Sequence, residues 1–148
     1  MASRAYAEGD LIARVKGRLV RNDPARPFAS DVGPNWFGIA PGVWIDPLPP
    51  FDFLNHSCTP NAAIERRAEV RALEEIPEGT EISIDYSTTE SDPDWQMKCC
   101  CLSPSCRGEL LAIQFAFTDR SKPPKAPPAM LRVWRRSLAS MKQQKQRS

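Results

Sequence analysis

Histidine occurs once in this chain, at position 56, and tyrosine twice, at positions 6 and 86. Any imidazole chemistry therefore rests on His56 alone. Seven glycines against fifteen prolines point to stiff, loop-rich connections rather than long helices. No apolar run approaches a membrane span, so a membrane partner is not expected. The opening MASRAYAEGD lacks the apolar core of a secretory signal, which predicts an intracellular protein, cytoplasmic or nuclear, that is not secreted. No internal repeat is present. The 148 residues, 41% of them hydrophobic, suit one domain with a modest core.

What the chain does have is a cysteine cluster. Cys99-x-Cys101-x4-Cys106 places three thiols within eight residues, and Cys58 offers a fourth about forty residues upstream. In a reducing compartment such a cluster reads as metal ligands rather than disulfides. Four thiolates make a closed tetrahedral set for zinc, with no open position for water, so the expected metal is structural. If Cys58 joins the set, the metal ties two distant pieces of chain together. Cys100 is the odd thiol. Free thiols are the plain alternative, and a His56 general base acting on a nucleophilic Cys58 competes for the same cysteine.

Short strands account for most of the body. Leu11–Val15, Arg18–Val20, Trp36–Ala40 and Val43–Ile45 read as strands, with a turn at Pro41-Gly42. Residues 21–35 are rich in Pro, Asp, Asn and Gly and read as a loop. Pro47, Pro49 and Pro50 impose an extended approach to residue 55. Ala62–Glu65 and Glu69–Leu73 form a hairpin through Arg66-Arg67. Glu81–Tyr86 alternates, with Ile82 and Ile84 on one face, as a half-buried strand does. After Gly108, apolar residues including Leu110, Leu111, Ile113, Phe115 and Phe117 are expected to pack back on the sheet. A proline-rich linker at 122–128 precedes an amphipathic helix over 129–144.

Charge is unevenly spread. Residues 1–118 hold 11 Lys/Arg against 17 Asp/Glu, net −6, whereas residues 119–148 hold 9 Lys/Arg against one Asp, net +8. An acidic body suits a basic protein substrate, and equally an ordinary solvated surface. The basic tail could contact nucleic acid, although Trp134 is its only aromatic residue.

Three segments carry a family resemblance. Asn55-His56-Ser57-Cys58-x-Pro60-Asn61 resembles the NHSCxPN motif of SET-domain protein lysine methyltransferases. Glu78-Gly79-Thr80-Glu81-Ile82-Ser83-Ile84-Asp85-Tyr86 resembles the family's second motif, which ends in Asp-Tyr. Cys99 to Gly108 resembles its post-SET motif, CxCx4CRG. The resemblance implies a mostly β fold of small curved sheets, in which the NHSC segment threads a pseudoknot-like loop. It divides the chain into a SET domain over 1–98, a post-SET zinc motif over 99–108, and a C-terminal extension over 109–148 with the helix and basic tail.

The resemblance also implies roles. Asn55, His56, Tyr86 and Leu102 would hold S-adenosylmethionine, and Cys58, Cys99, Cys101 and Cys106 the zinc. Tyr86 is the expected catalytic residue, orienting a neutral lysine amine of a protein substrate, a histone or another basic protein, toward the sulfonium. Asn61 and Glu81 are expected to satisfy backbone groups around the motif loops. Ile84 stands where the family often has Phe or Tyr, which hints at higher methylation states. Family members usually begin with a strand containing Gly-x-Gly, and no Gly-x-Gly precedes the NHSC loop here. An upstream start and an incomplete cofactor pocket are the two explanations, and the second would make the chain an inactive SET-like binding module.

Overall fold

The computed structural model describes residues 1–21, 36–40, 43–65, 68–90, 95–112 and 135 of the chain. Within them, alternating apolar and charged residues build short strands that pair in four small sheets. β1 (Leu11–Arg14) pairs with β7 (Glu69–Ala72), and β7 with β6 (Ala62–Glu65), all antiparallel. Across the β6–β7 hairpin Ala62 faces Ala72 and Ile64 faces Val70. Ala62, Val70 and Ala72 are at most 2% exposed, so small side chains bring this sheet close to the core. Glu69, on the same sheet, takes Arg14 at 2.9 Å and Arg71 at 2.6 Å, which hold its carboxyl below the usual range.

The second sheet runs β2 (Gly17–Arg21), β4 (Val43–Pro47), β3 (Phe37–Ala40). These strands and the β6–β7 hairpin fall where the sequence predicts them. Gly17 opens β2 beside β4, and a side chain there would run into the Asp46 carbonyl, so the close approach requires glycine. The turn at 41–42, the hairpin tip at 66–67, the loop at 22–35, the apolar residues from 113, the linker and the C-terminal helix lie outside the described residues.

Two local expectations change. The prolines do not carry the chain in fully extended form, because a single 3-10 turn spans Phe51–Phe53 just before Leu54. The strand expected over Glu81–Tyr86 shrinks to β8 (Ser83–Ile84). Asp85 ends it: its side chain accepts the Ser87 amide and caps a 3-10 turn over Tyr86–Thr88. A short acidic side chain competes with the strand ladder for backbone amides in this way. Ile84 is fully buried and Ile82 packs partly buried on the same core, as the alternation predicts.

β5 (Asn55–His56) lies parallel to β8, with Asn55 opposite Ser83 and His56 opposite Ile84. Parallel neighbours need a long connection. The β6–β7 hairpin supplies it. Two distant sequence motifs thereby become adjacent strands. Past β8, β9 (Gln96–Lys98) and β10 (Glu109–Leu111) form an antiparallel hairpin. All the cysteines after Cys58 sit in the loop between them. Gly108 closes that loop at φ +74, its carbonyl accepting the Cys99 amide at 2.9 Å. β10 packs on the Tyr86–Thr88 turn with Leu110 and Ala112 buried, while Leu111 is 37% exposed. Only alternate residues of a strand can face inward, so Leu111 does not join the core. No helix among the described residues is long and apolar enough to cross a membrane.

Candidate active site and metal centre

The parallel β5–β8 pair sets the site. It is reinforced by Asn61, whose Nδ2 donates to the Glu81 carbonyl at 2.7 Å and whose Oδ1 accepts the Ser83 amide at 2.9 Å. Asn61 thus satisfies backbone groups around the motif loops. Glu81 differs from the expectation: its carboxylate takes a hydrogen bond from the Asn55 amide at 2.7 Å. Both lie on the exposed side of the pair.

The next residue, His56, points inward, with only 6% of its side chain exposed. Its Nδ1 accepts the backbone amide of Tyr86 at 3.2 Å, and its Nε2 lies 3.4 Å from the Cys58 sulfur. Burial pushes the His56 pKa below its ordinary value, against the pull of Asp85. The imidazole is therefore neutral near pH 7. A ring nitrogen that accepts carries no proton, so the proton sits on Nε2 and faces the sulfur.

Around Cys58 the thiols converge. The His56, Cys58, Cys99 and Cys101 ligand atoms lie within 4.8 Å of one another. The Cys58 and Cys99 sulfurs are 3.8 Å apart, and Cys99 and Cys106 sulfurs 3.7 Å apart. Zinc–sulfur bonds of about 2.3 Å in a tetrahedron give sulfur–sulfur edges of about 3.8 Å, so these spacings fit a zinc thiolate set. Cys106, the fourth expected ligand, is not among those first four, His56 standing in its place, and it adjoins them through the Cys99 sulfur; Cys100 is exposed and stands apart.

The thiols differ in acidity. Burial pushes Cys99 up to about 12. Burial also acts on Cys101, but hydrogen bonds from the Cys58 and Ser103 amides bring it down to about 7. One thiol ionises readily while its crowded neighbour resists. Cys58 is 3% exposed and burial raises its pKa, which argues against a nucleophilic Cys58–His56 pair.

Asp85 and Arg107 carry no role in the motif pattern, yet they meet in the fold. Asp85 is 1% exposed, and its Oδ1 accepts the Arg107 guanidinium at 2.5 Å. The same oxygen lies 3.6 Å from His56 Nδ1. The Arg107 backbone amide donates to the Cys58 sulfur at 3.4 Å. Burial works against the Arg107 charge, and Asp85 more than offsets it, so the guanidinium is firmly protonated. The available signal was Asp85, one of three acids in its motif, and Arg107, the one base between Cys99 and Gly108. Spacing along the chain does not show that they meet.

Tyr86 is half-buried, its ring tilted 50° against His56 at 5.2 Å between centroids. Its hydroxyl donates to the Leu54 carbonyl at 2.7 Å. Burial raises its pKa, so the hydroxyl stays protonated at neutral pH and is suited to orienting a partner rather than to general-base work. Leu102, between the cysteines, is 93% exposed and adopts φ 60. A leucine held in the left-handed region carries backbone strain. Phe53, two residues before Asn55, is 74% exposed. Ile84 has no exposed surface.

The chain is similar to known proteins. It is 35% identical over 65 residues to the histone-lysine N-methyltransferase ash1 of Drosophila melanogaster, covering 39% of this chain and 3% of that protein. It is 37% identical over 65 residues to the histone-lysine N-methyltransferase ASHR3 of Arabidopsis thaliana, covering 39% of this chain and 13% of that protein. The aligned part is thus a small fraction of either relative. Among solved structures, it resembles KRYPTONITE in complex with mCHG DNA and SAH, at 22% identity and TM-score 0.54, over 72% of this chain and 25% of that one. A second KRYPTONITE complex, with mCHH DNA, an H3(1-15) peptide and SAH, aligns at 24% identity and TM-score 0.50, over 73% of this chain and 26% of that one. At these identities the likeness speaks for the fold. The family model for the SET domain matches residues 1–87, more than half of the chain. The parallel pairing of the two motif segments and the match over their whole length lead to one conclusion: this chain belongs to the SET-domain family.

Proposed function

We propose that the chain is an S-adenosylmethionine-dependent protein lysine methyltransferase whose post-SET loop is stabilised by zinc. The observation that carries the reading is the placement of Tyr86. Its hydroxyl is fixed on the Leu54 carbonyl, its amide on His56, and both partners adjoin Asn55. The curated relatives named above are histone-lysine methyltransferases, which supports a lysine-bearing protein substrate. A histone suits the acidic body, whose residues 1–118 carry net −6 from 11 Lys/Arg and 17 Asp/Glu.

Cys58, Cys99, Cys101 and Cys106 would hold the zinc, with His56 Nε2–H directed at the Cys58 sulfur. A neutral imidazole whose Nδ1 already accepts the Tyr86 amide has no lone pair left on Nε2, so Cys106 is the better fourth ligand. Four thiolates make the metal structural. S-adenosylmethionine, when bound, supplies an electrophilic methyl group on a positively charged sulfur.

Asn55 and Leu102 would form part of the surface that receives it, one offering an exposed amide and the other an exposed apolar side chain. The Tyr86 hydroxyl then orients the amine. It spends its hydrogen on Leu54, so its oxygen lone pairs are what it offers to an incoming N–H. A lysine amine has a pKa of about 10.4 in water and must be neutral to attack. A half-buried site and a nearby positive charge both favour the neutral form. No protein group with a perturbed pKa is needed as a base, and alignment is the main contribution.

Calorimetry with S-adenosylmethionine, followed by transfer of labelled methyl groups to mixed histones, tests the reading. Binding together with labelling is expected. An absence of cofactor heat would instead make the chain a SET-fold binding module. A steep salt dependence of nucleic-acid binding, lost on removing residues 119–148, would assign that role to the basic tail.

A further inference from the structure

Two separate paths lead from the cysteine cluster to Tyr86. The first runs through the Cys58 sulfur to His56 Nε2, and from His56 Nδ1 to the backbone amide of Tyr86. The second runs from Cys106 to its neighbour Arg107. That residue's amide rests on the Cys58 sulfur, and its guanidinium grips Asp85, the cap of the 3-10 turn that begins at Tyr86. Asp85 Oδ1 is shared by the Arg107 guanidinium, the Ser87 amide and the edge of His56. Asp85 is 1% exposed and the Arg107 side chain 17%, so water offers this oxygen little alternative.

We propose that the Asp85–Arg107 ion pair is a positioning device: it transmits the folded state of the cysteine loop to Tyr86 and holds its turn in register with the Leu54 carbonyl. The proposal rests on Tyr86 being the catalytic residue. Arg107 and Asp85 touch neither substrate nor cofactor in this scheme. The turn's own bonds, from Thr88 to the Asp85 carbonyl and from Thr89 to the Tyr86 carbonyl, fix its shape, while the Asp85 cap and the packing of β10 fix how it is oriented. An arginine fits this task because its planar fork stays charged and fixes direction as well as distance. Lysine would keep the charge and lose the direction.

The composition provides a direct readout. Only two tyrosines are present, so protein labelled with 15N-tyrosine gives two amide signals. Tyr86 donates to His56, and Tyr6 donates to the Ile76 carbonyl at 2.9 Å, away from the cysteine loop, as an internal control. In Arg107→Lys and in Asp85→Asn, with zinc content checked and equal to wild type, the Tyr86 signal should move or broaden while Tyr6 stays in place. Removing the metal with a chelator should do the same. Turnover in the two variants should fall tenfold or more, with KM for the cofactor changed by less than threefold, and Lys should retain more turnover than Ala at position 107.

A Tyr86 signal unchanged in both variants overturns the proposal. So does a Tyr6 signal that moves as far as that of Tyr86, because the ion pair would then support the whole fold rather than the turn. The amide readout needs no substrate. A wild-type protein that fails to transfer methyl groups would sink the proposed activity and leave this test standing.

Discussion

The backbone amide of Tyr86 donates to Nδ1 of His56, 3.2 Å away and thirty residues earlier in the chain. The bond consumes the acceptor of the only imidazole and leaves its N–H facing Cys58. One side chain thereby serves the candidate catalytic turn on one edge and the candidate metal centre on the other. Four predictions follow from this arrangement and its surroundings.

Purified protein should contain about one zinc per chain, as a four-thiolate set allows. Serine at position 58, 99, 101 or 106 should abolish or strongly weaken binding, while Cys100→Ser should not. His56→Gln should keep the metal. Elemental analysis decides between ligand sets: zinc kept by Cys106→Ser and lost by His56→Gln would make the imidazole the fourth ligand.

The single histidine should titrate below its ordinary value of 6.5, because burial penalises its charged form. The unfolded chain then binds a proton at higher pH than the folded one. This contribution to stability is complete above pH 6.5 and is lost as pH falls through the folded-state value. Imidazole NMR gives the titration midpoint, and denaturant melts at pH 7 and pH 5.5 give the stability. A midpoint above 6.5 would mean that Asp85 outweighs burial.

Tyr86→Phe keeps the ring and deletes the hydroxyl. It leaves the Leu54 carbonyl without that donor, at a cost of about 0.5–1.5 kcal/mol of stability. If the hydroxyl orients the amine, turnover should drop by roughly tenfold or more, about 1.4 kcal/mol per decade. Cofactor affinity should change little. Equal labelling rates for wild type and variant would remove Tyr86 from the mechanism.

Leu102 separates cofactor binding from folding. Leu102→Gly removes an apolar side chain that is 93% exposed and relaxes a backbone at φ 60. Thermal stability should hold or rise slightly, by up to about 1 kcal/mol. Affinity for S-adenosylmethionine should weaken. Asn55→Ala should weaken it further, by roughly 1–3 kcal/mol, the usual cost of an unmet polar group. Calorimetry on the two variants against wild type measures both, and an unchanged affinity for Leu102→Gly would exclude that residue from the cofactor surface.

Local patterning determined a good deal by itself. Strands β1 to β4 and the β6–β7 hairpin were legible because alternation and turn residues act over a few positions. The cysteines announced a metal set because ligand spacing within one loop is a local constraint. The tertiary structure decided the rest. That β5 pairs parallel with β8, that Cys58 meets Cys99, and that Asp85 meets Arg107 across twenty-two residues are non-local facts. Asp85 shows the limit most clearly. Read locally, it continued a strand toward Tyr86. Buried beside a guanidinium, its carboxylate instead finds the Ser87 amide and bends the chain into a turn. A side chain's choice of partner depends on what else is buried with it, and only the folded chain supplies that company.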